Sequence, residues 1–138
     1  MNTRLRLPGG RVLLVDSITQ LNPADAADHG VWAVSGSHGG VSSAGYALAL
    51  PLAGAVFNDA GIGKDEAGIA ALALLQARGT PACTVAYTSA RIGDAKDTWA
   101  SGVISRVNAA AAALGFAPGQ PLQQVVLELV QGRLQHKS

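Results

Sequence analysis

At 138 residues the chain has the length of one domain, and its net charge of +1 gives no bias toward acidic or basic partners. The ten Lys and Arg residues are scattered, without the runs that mark nucleic-acid or membrane-surface binding, and no stretch reaches the roughly 18 apolar residues needed to span a bilayer. Cys83 is the one cysteine, which excludes an internal disulfide and fits a reducing compartment.

Strands and helices are predicted to alternate along the chain. Residues 11–18 (RVLLVDSI) read as a first strand. Asn22-Pro23 then offers an N-cap followed by proline, and Gly30 a stop, for a short helix. Residues 31–34 (VWAV) read as a second strand, apolar on both faces as expected when helices cover each side. A helix over residues 41–52 follows, containing Gly45 and ending near Pro51. Residues 54–57 (GAVF) make a third strand. Residues 64–78 make a helix with Asp65 and Glu66 in its first turn, Arg78 in its last and Gly79 just beyond, a polarity that suits the helix dipole.

Residues 82–87 (ACTVAY) form the fourth strand. Trp99, Val103, Val107, Ala111 and Leu114 recur at spacings of four and three, which predicts one helix over residues 97–114 stopped by Gly115. A last helix starts near Pro121, with Leu122, Val126, Leu129, Val130 and Leu134 as its apolar stripe. Residues 125–130 are also compatible with a strand, but length and period favour the helix. This order predicts an α/β fold: a three-layer, mainly parallel four-stranded sheet with helices on both faces, of flavodoxin-like or Rossmann-like size, in a single domain over residues 1–138.

In such sheets ligands bind beyond the carboxyl ends of the strands. Those ends hold Asp16-Ser17, the run Ser35-Gly36-Ser37-His38-Gly39-Gly40, the run from Asn58 to Asp65, and the run from Thr88 to Asp94. Glycines let the second run approach a ligand closely, and a helix starting near Val41 would aim free N–H groups at an anion. Ser35, Gly39 and Gly40 are therefore candidate substrate contacts, and His38 a candidate general acid or base. The His38-Gly39-Gly40 run resembles the oxyanion loops of some esterases, but Ser37 stands one place too early for a nucleophile elbow. Ser37 remains a possible nucleophile with no base identified. A turn with structural glycines and a solvated His38 is the alternative.

The Asn58 to Asp65 run is not a phosphate-binding loop, because Asn58 stands where the first glycine belongs and Asp65 where Ser or Thr would bind magnesium. Asn58 is a candidate substrate contact and Asp59 a candidate proton carrier, since an Asp following a buried strand needs water, a partner or a ligand. Lys64 either meets a ligand carboxylate or moves a proton, or else pairs with Asp59 or Asp65. Ser89 and Arg91 are candidate binding residues, Arg91 as a bidentate anchor for carboxylate or phosphate, with an ion pair to Asp94 or Asp59 as the alternative. Asp94 or Asp97 has a claim as a helix cap.

Cys83, Trp32 and Trp99 read as core or interface residues, His29 as a solvated helix end and His136 as part of a tail. The three histidines and one cysteine show no metal-ligand spacing, and no dinucleotide fingerprint follows the first strand, so no cofactor is expected. The expected function is a small cytoplasmic enzyme, a hydrolase, lyase or isomerase, acting on an anionic or carbonyl-bearing metabolite. The alternative is a non-catalytic binding module or accessory subunit. With 49% hydrophobic and 14% charged residues, a homo-oligomer is expected, and neither nucleic acid nor membrane is an expected partner.

Overall fold

Four short apolar runs become neighbouring parallel strands because each is buried on both faces. A computed structural model describes residues 3–132 and places these runs in β2 (Val12–Val15), β3 (Trp32–His38), β4 (Gly54–Asn58) and β5 (Ala82–Val85). Two further strands, β1 (Arg4–Arg6) and β6 (Ile104–Val107), pair antiparallel to β2 and β5 at the two edges. The result is an α/β fold with a six-stranded mixed sheet in the order β1-β2-β3-β4-β5-β6, not the four-stranded sheet expected from the sequence.

Side chains alternate between two cores, as the two-residue strand period requires. Leu13, Val15, Ala33, Ala55, Phe57 and Ala82 face α1 (Val41–Leu48) and α2 (Ala70–Gln76). Val12, Leu14, Trp32, Val34, Val56, Cys83 and Val85 face α3 (Ala95–Ser101), α4 (Ala109–Ala113) and α5 (Leu122–Val130). Trp32 stacks on Phe116 at 4.9 Å between ring centroids. The sequential order has a simple cause. Parallel crossovers share one hand, so connections that all step in one direction across the sheet fall on the same face; the β3–β4 and β4–β5 connections carry α1 and α2 into a single core cluster.

Several expected boundaries move. The helix expected after Asn22-Pro23 is replaced by two 3-10 turns, Ile18–Gln20 and Ala26–Asp28. The glycine-rich run 35–40 is not a loop: β3 continues through Ser35, Gly36 and Ser37 to His38, which pairs with Asn58 across a bulge. The helix expected over residues 64–78 has its first turns replaced by a 3-10 segment in which Asp65 and Glu66 are left-handed at φ 55° and 57°. Residues 97–114 do not form one helix. Gly102 turns extended at φ −61°, ψ 135° and ends α3, and β6 follows. Asn108 then restarts a helix, its Oδ1 accepting from Ala111 N at 2.9 Å and from Ala82 N at 3.0 Å. The last helix starts after Pro121 as expected, with Leu122 and Val126 buried; Leu134 and His136 lie outside the described residues.

Edge strand β1 is held by charge. Arg4 and Arg6 donate to Oδ1 of the buried Asp28 at 2.7 and 3.0 Å, and Asn22 N donates to its Oδ2 at 2.8 Å. His29 lies at the end of the same turn, its Nε2 2.8 Å from Pro23 O.

Candidate functional site

Parallel β2, β3, β4 and β5 end side by side, so the connections after them meet along one rim. The residues 90–95 cross this rim from β4 to β2. Asn58 Nδ2 donates to Ala90 O at 3.0 Å, Gly93 N donates to Gly36 O at 2.6 Å, and Ala95 N donates to Asp16 Oδ1 at 2.8 Å. Positions distant in sequence are thereby brought together.

Most polar groups on the rim are bound to backbone. Ser35 Oγ donates to Val56 O at 2.8 Å. Ser37 Oγ accepts from Ile18 N at 2.9 Å. Ser89 Oγ donates to Ala86 O at 2.7 Å and accepts from Val103 N at 2.9 Å. Asn58 Oδ1 accepts from Ala60 N at 2.8 Å. Asp94 caps α3 by accepting from Asp97 N at 2.9 Å, and Asp97 in turn accepts from Arg91 N at 2.8 Å.

The three buried carboxylates, Asp16, Asp28 and Asp59, differ in one respect. Both oxygens of Asp16 accept backbone N–H groups, from Ala95 and from Thr3, and both oxygens of Asp28 are bonded as described above. In Asp59, 4% exposed, Oδ1 accepts from Gly61 N at 2.8 Å and from Tyr87 N at 3.0 Å. Its Oδ2 accepts from no described residue. A buried polar atom lacking a protein partner is uncommon and calls for a reason.

Burial pushes the Asp16 carboxyl up, but the hydrogen bonds from Ala95 and Thr3 outweigh it and the net pKa lies below the ordinary value. Burial likewise opposes ionisation of Asp28, and Arg4, Asn22 and Arg6 overcome it, again leaving the pKa lowered. Both groups bind protons less readily folded than unfolded. Their contribution to stability is therefore full above the ordinary carboxylate pKa of about 3.9 and is lost as pH falls through the lower folded values. Urea midpoints should fall as pH drops below about 4, and the Asp16→Asn, Asp28→Asn double variant should show a flatter acid limb. An equally steep limb in that variant would assign the acid sensitivity to other groups.

The remaining rim side chains face solvent. His38, Lys64 and Arg91 are exposed, and their side chains make no hydrogen bond or ion pair with a described residue. The pairs considered for Lys64 with Asp59 or Asp65, and for Arg91 with Asp94 or Asp59, do not form. The His38 ring lies over Gly40, where an added Cβ would stand 2.6 Å from Nε2. Gly39 N donates to Asn58 O at 3.0 Å and Gly39 O accepts from Ala71 N at 2.8 Å, so its N–H is not free for a ligand. Arg91 lines a cleft of about 490 Å³ with Thr3, Asp94, Lys96, Asp97 and Ala100, which His38 and Lys64 do not line.

Between β4 and α2 the backbone is strained. Ala60, Ile62, Asp65 and Glu66 all take positive φ, 51° to 69°. Each such non-glycine residue costs on the order of 1–2 kcal/mol, and such residues cluster at functional sites. Tyr87, 59% exposed, has its ring against Gly61. Tyr87 and Lys96 are not candidates in the sequence, where Tyr87 ends the fourth predicted strand, and backbone conformation at Ala60 or Ile62 leaves no mark in composition.

Among the described residues no group of three or more His, Cys, Asp or Glu is placed to hold a metal ion, and no helix is long and apolar enough to cross a membrane. Cys83 is buried and its thiol is pushed up to about 12 by burial, so it is unsuited to nucleophilic chemistry. No protein-family model, curated protein or solved structure matches the chain.

Proposed function

We propose that the rim binds a small anionic or carbonyl-bearing metabolite and catalyses a proton-transfer reaction on it, of the hydrolase, lyase or isomerase type. The observation that carries this reading is Asp59, a buried residue: one oxygen is fixed by two backbone N–H groups while the other accepts from no described residue. A carboxylate held in one orientation with a free oxygen is suited to accept a proton. Its neighbour in sequence, Asn58, pairs through the backbone register with His38 on the adjacent strand, which puts a second ionisable residue on the same rim.

Arg91 and Lys96 line one cleft together with Asp94 and Asp97, where the Arg91 guanidinium is unpaired with any described residue, and Lys64 lies on the connection after Asp59. In this reading Arg91 anchors the anion, Asp59 and His38 exchange protons, and Ser37, Ser89 and Asn58 position the backbone. Backbone strain at Ala60 and Ile62, next to Asp59, supports a functional role for this connection. Ser37 is given no nucleophilic role in this reading, because its Oγ accepts from Ile18 N and donates to no described base.

A non-catalytic binding module is the second reading. It is favoured by the position of Arg91 in a cleft that His38 does not line. Both readings require anion binding. A thermal-shift panel of small carboxylates, phosphate monoesters and neutral analogues should raise Tm with anionic members only, by an amount that follows the ligand's concentration over Kd. Arg91→Ala should abolish the shift without lowering the ligand-free Tm. Equal shifts with neutral analogues, or an unchanged response in Arg91→Ala, would remove the anchor from this account.

A further inference from the structure

The cleft that Arg91 lines has walls from two distant parts of the chain. Thr3, just before β1, supplies one, and Arg91, Asp94, Lys96, Asp97 and Ala100 supply the other. Among the described residues no hydrogen bond joins Thr3 directly to residues 91–100. Both walls are instead bonded to one carboxylate, that of Asp16 at the end of β2.

Asp16 Oδ2 accepts from Thr3 N at 2.6 Å, and Oδ1 accepts from Ala95 N at 2.8 Å. Asp16 N also donates to Thr3 O at 3.0 Å. The Arg91 wall is knit into one unit around Ala95. Asp97 accepts from Arg91 N, Asp94 N donates to Arg91 O, and Asp94 Oδ1 accepts from Asp97 N. Holding Ala95 therefore also holds the backbone from which Arg91 projects. Asp16 is 5% exposed and does not line the cleft, so it acts on a ligand there only through the walls.

We propose that Asp16 is a positioning residue, whose carboxylate sets the separation of the two walls and so the aim of Arg91 at an anion. A carboxylate suits this task because it accepts at both oxygens. An amide does not: whichever way it turns, its NH2 meets one of the two N–H groups, and one wall loses its bond. The role rests on the reading of this cleft as the anion site.

The sign of the effect separates positioning from charge. Removing a negative charge near a bound anion strengthens binding, because like charges repel. Losing a positioning bond weakens it. Asp16→Asn makes both changes at once, so weaker binding in that variant identifies the bond and not the charge as what the cleft needs.

Titration of the ¹⁵N-labelled full chain with inorganic phosphate tests the role. Asp16→Asn should raise the phosphate Kd about tenfold, the loss expected for one hydrogen bond to a charged group. Without phosphate, the amide proton of Thr3 or of Ala95 should move upfield as its bond is lost. Leu75→Ala, in the α1–α2 core, lowers Tm by opening a cavity away from the cleft and should leave Kd unchanged. Thr3→Pro removes the N–H that Oδ2 accepts while keeping the Asp16 charge. It should also raise Kd and shift the amides of residues 91–97, and it decides the matter if Asp16→Asn does not fold. A wild type that binds no phosphate, with the amides moving as stated, would remove the anion reading and leave the Asp16 clamp standing. Unmoved Thr3 and Ala95 amides in a folded Asp16→Asn, or phosphate held as tightly as by the wild type or more so, would overturn the proposal.

Discussion

Gly36→Ala is expected to destabilise the fold by about 3 kcal/mol and to release residues 90–95 from the ends of the parallel strands. A Cβ at this position would stand 2.5 Å from Asp94 N, 2.6 Å from Gly93 C and 2.8 Å from Asp16 O. All three atoms are backbone, so no side-chain rotation relieves the contact. The crossing segment must move away, which breaks the 2.6 Å bond from Gly93 N to Gly36 O and weakens the 2.8 Å bond from Ala95 N to Asp16. Asp16, 5% exposed, would then keep a buried charge with one fewer donor, and that loss adds to the steric term. Urea denaturation should show the midpoint falling with an unchanged slope. A loss below about 1 kcal/mol would mean that the crossing segment is not held where the contacts place it.

The second large effect is on chemistry. Asp59→Asn should lower turnover of the rim's ligand by about 100-fold while changing stability by less than about 1 kcal/mol. The amide is nearly isosteric with the carboxylate and its Oδ1 can still accept from Gly61 N and Tyr87 N, bonds of 2.8 and 3.0 Å in the native chain. What it loses is the capacity of Oδ2 to take a proton. A positioning role would leave turnover intact under this substitution, since both positioning bonds survive. Full turnover in a folded Asp59→Asn protein would therefore assign Asp59 to structure alone.

The parallel centre of the sheet was legible because strands buried on both faces leave continuous apolar runs, as in Val12–Val15 and Ala82–Val85. The two edge strands were not. Arg4–Arg6 alternates arginine with a 43%-exposed leucine and owes its place to the Asp28 ion pairs, which lie 24 and 22 residues away in sequence. Ile104–Val107 was hidden by a coincidence of spacing, for Trp99, Val103, Val107 and Ala111 recur every four residues yet belong to a helix, a bridge, a strand and a second helix. Gly102 and Asn108 were the contrary signals, a breaker and a cap within the supposed helix.

At the rim, the location of polar residues at strand ends follows from the alternation of strands and helices. Their partners do not. Nothing local distinguishes a nucleophilic Ser37 from one that accepts Ile18 N, or an ion-paired Arg91 from one with a solvent-facing guanidinium, because each outcome depends on a contact between distant segments. The glycine signal was informative in kind but misplaced in cause. In the sequence Gly36 and Gly39 suggest freedom for a ligand to approach, whereas in the fold they admit the backbones of Gly93 and Gly68.

We propose that one rim, formed by the ends of the four parallel strands, receives an anionic ligand. Titrating ¹⁵N-labelled protein with phosphate and with acetate, and following backbone amide shifts, addresses it directly. Saturable shifts confined to residues around His38, Asp59, Tyr87 and Arg91, with α4 and α5 unmoved, are the predicted result. Saturable shifts centred on any other face of the molecule, with those four residues unaffected, would contradict it.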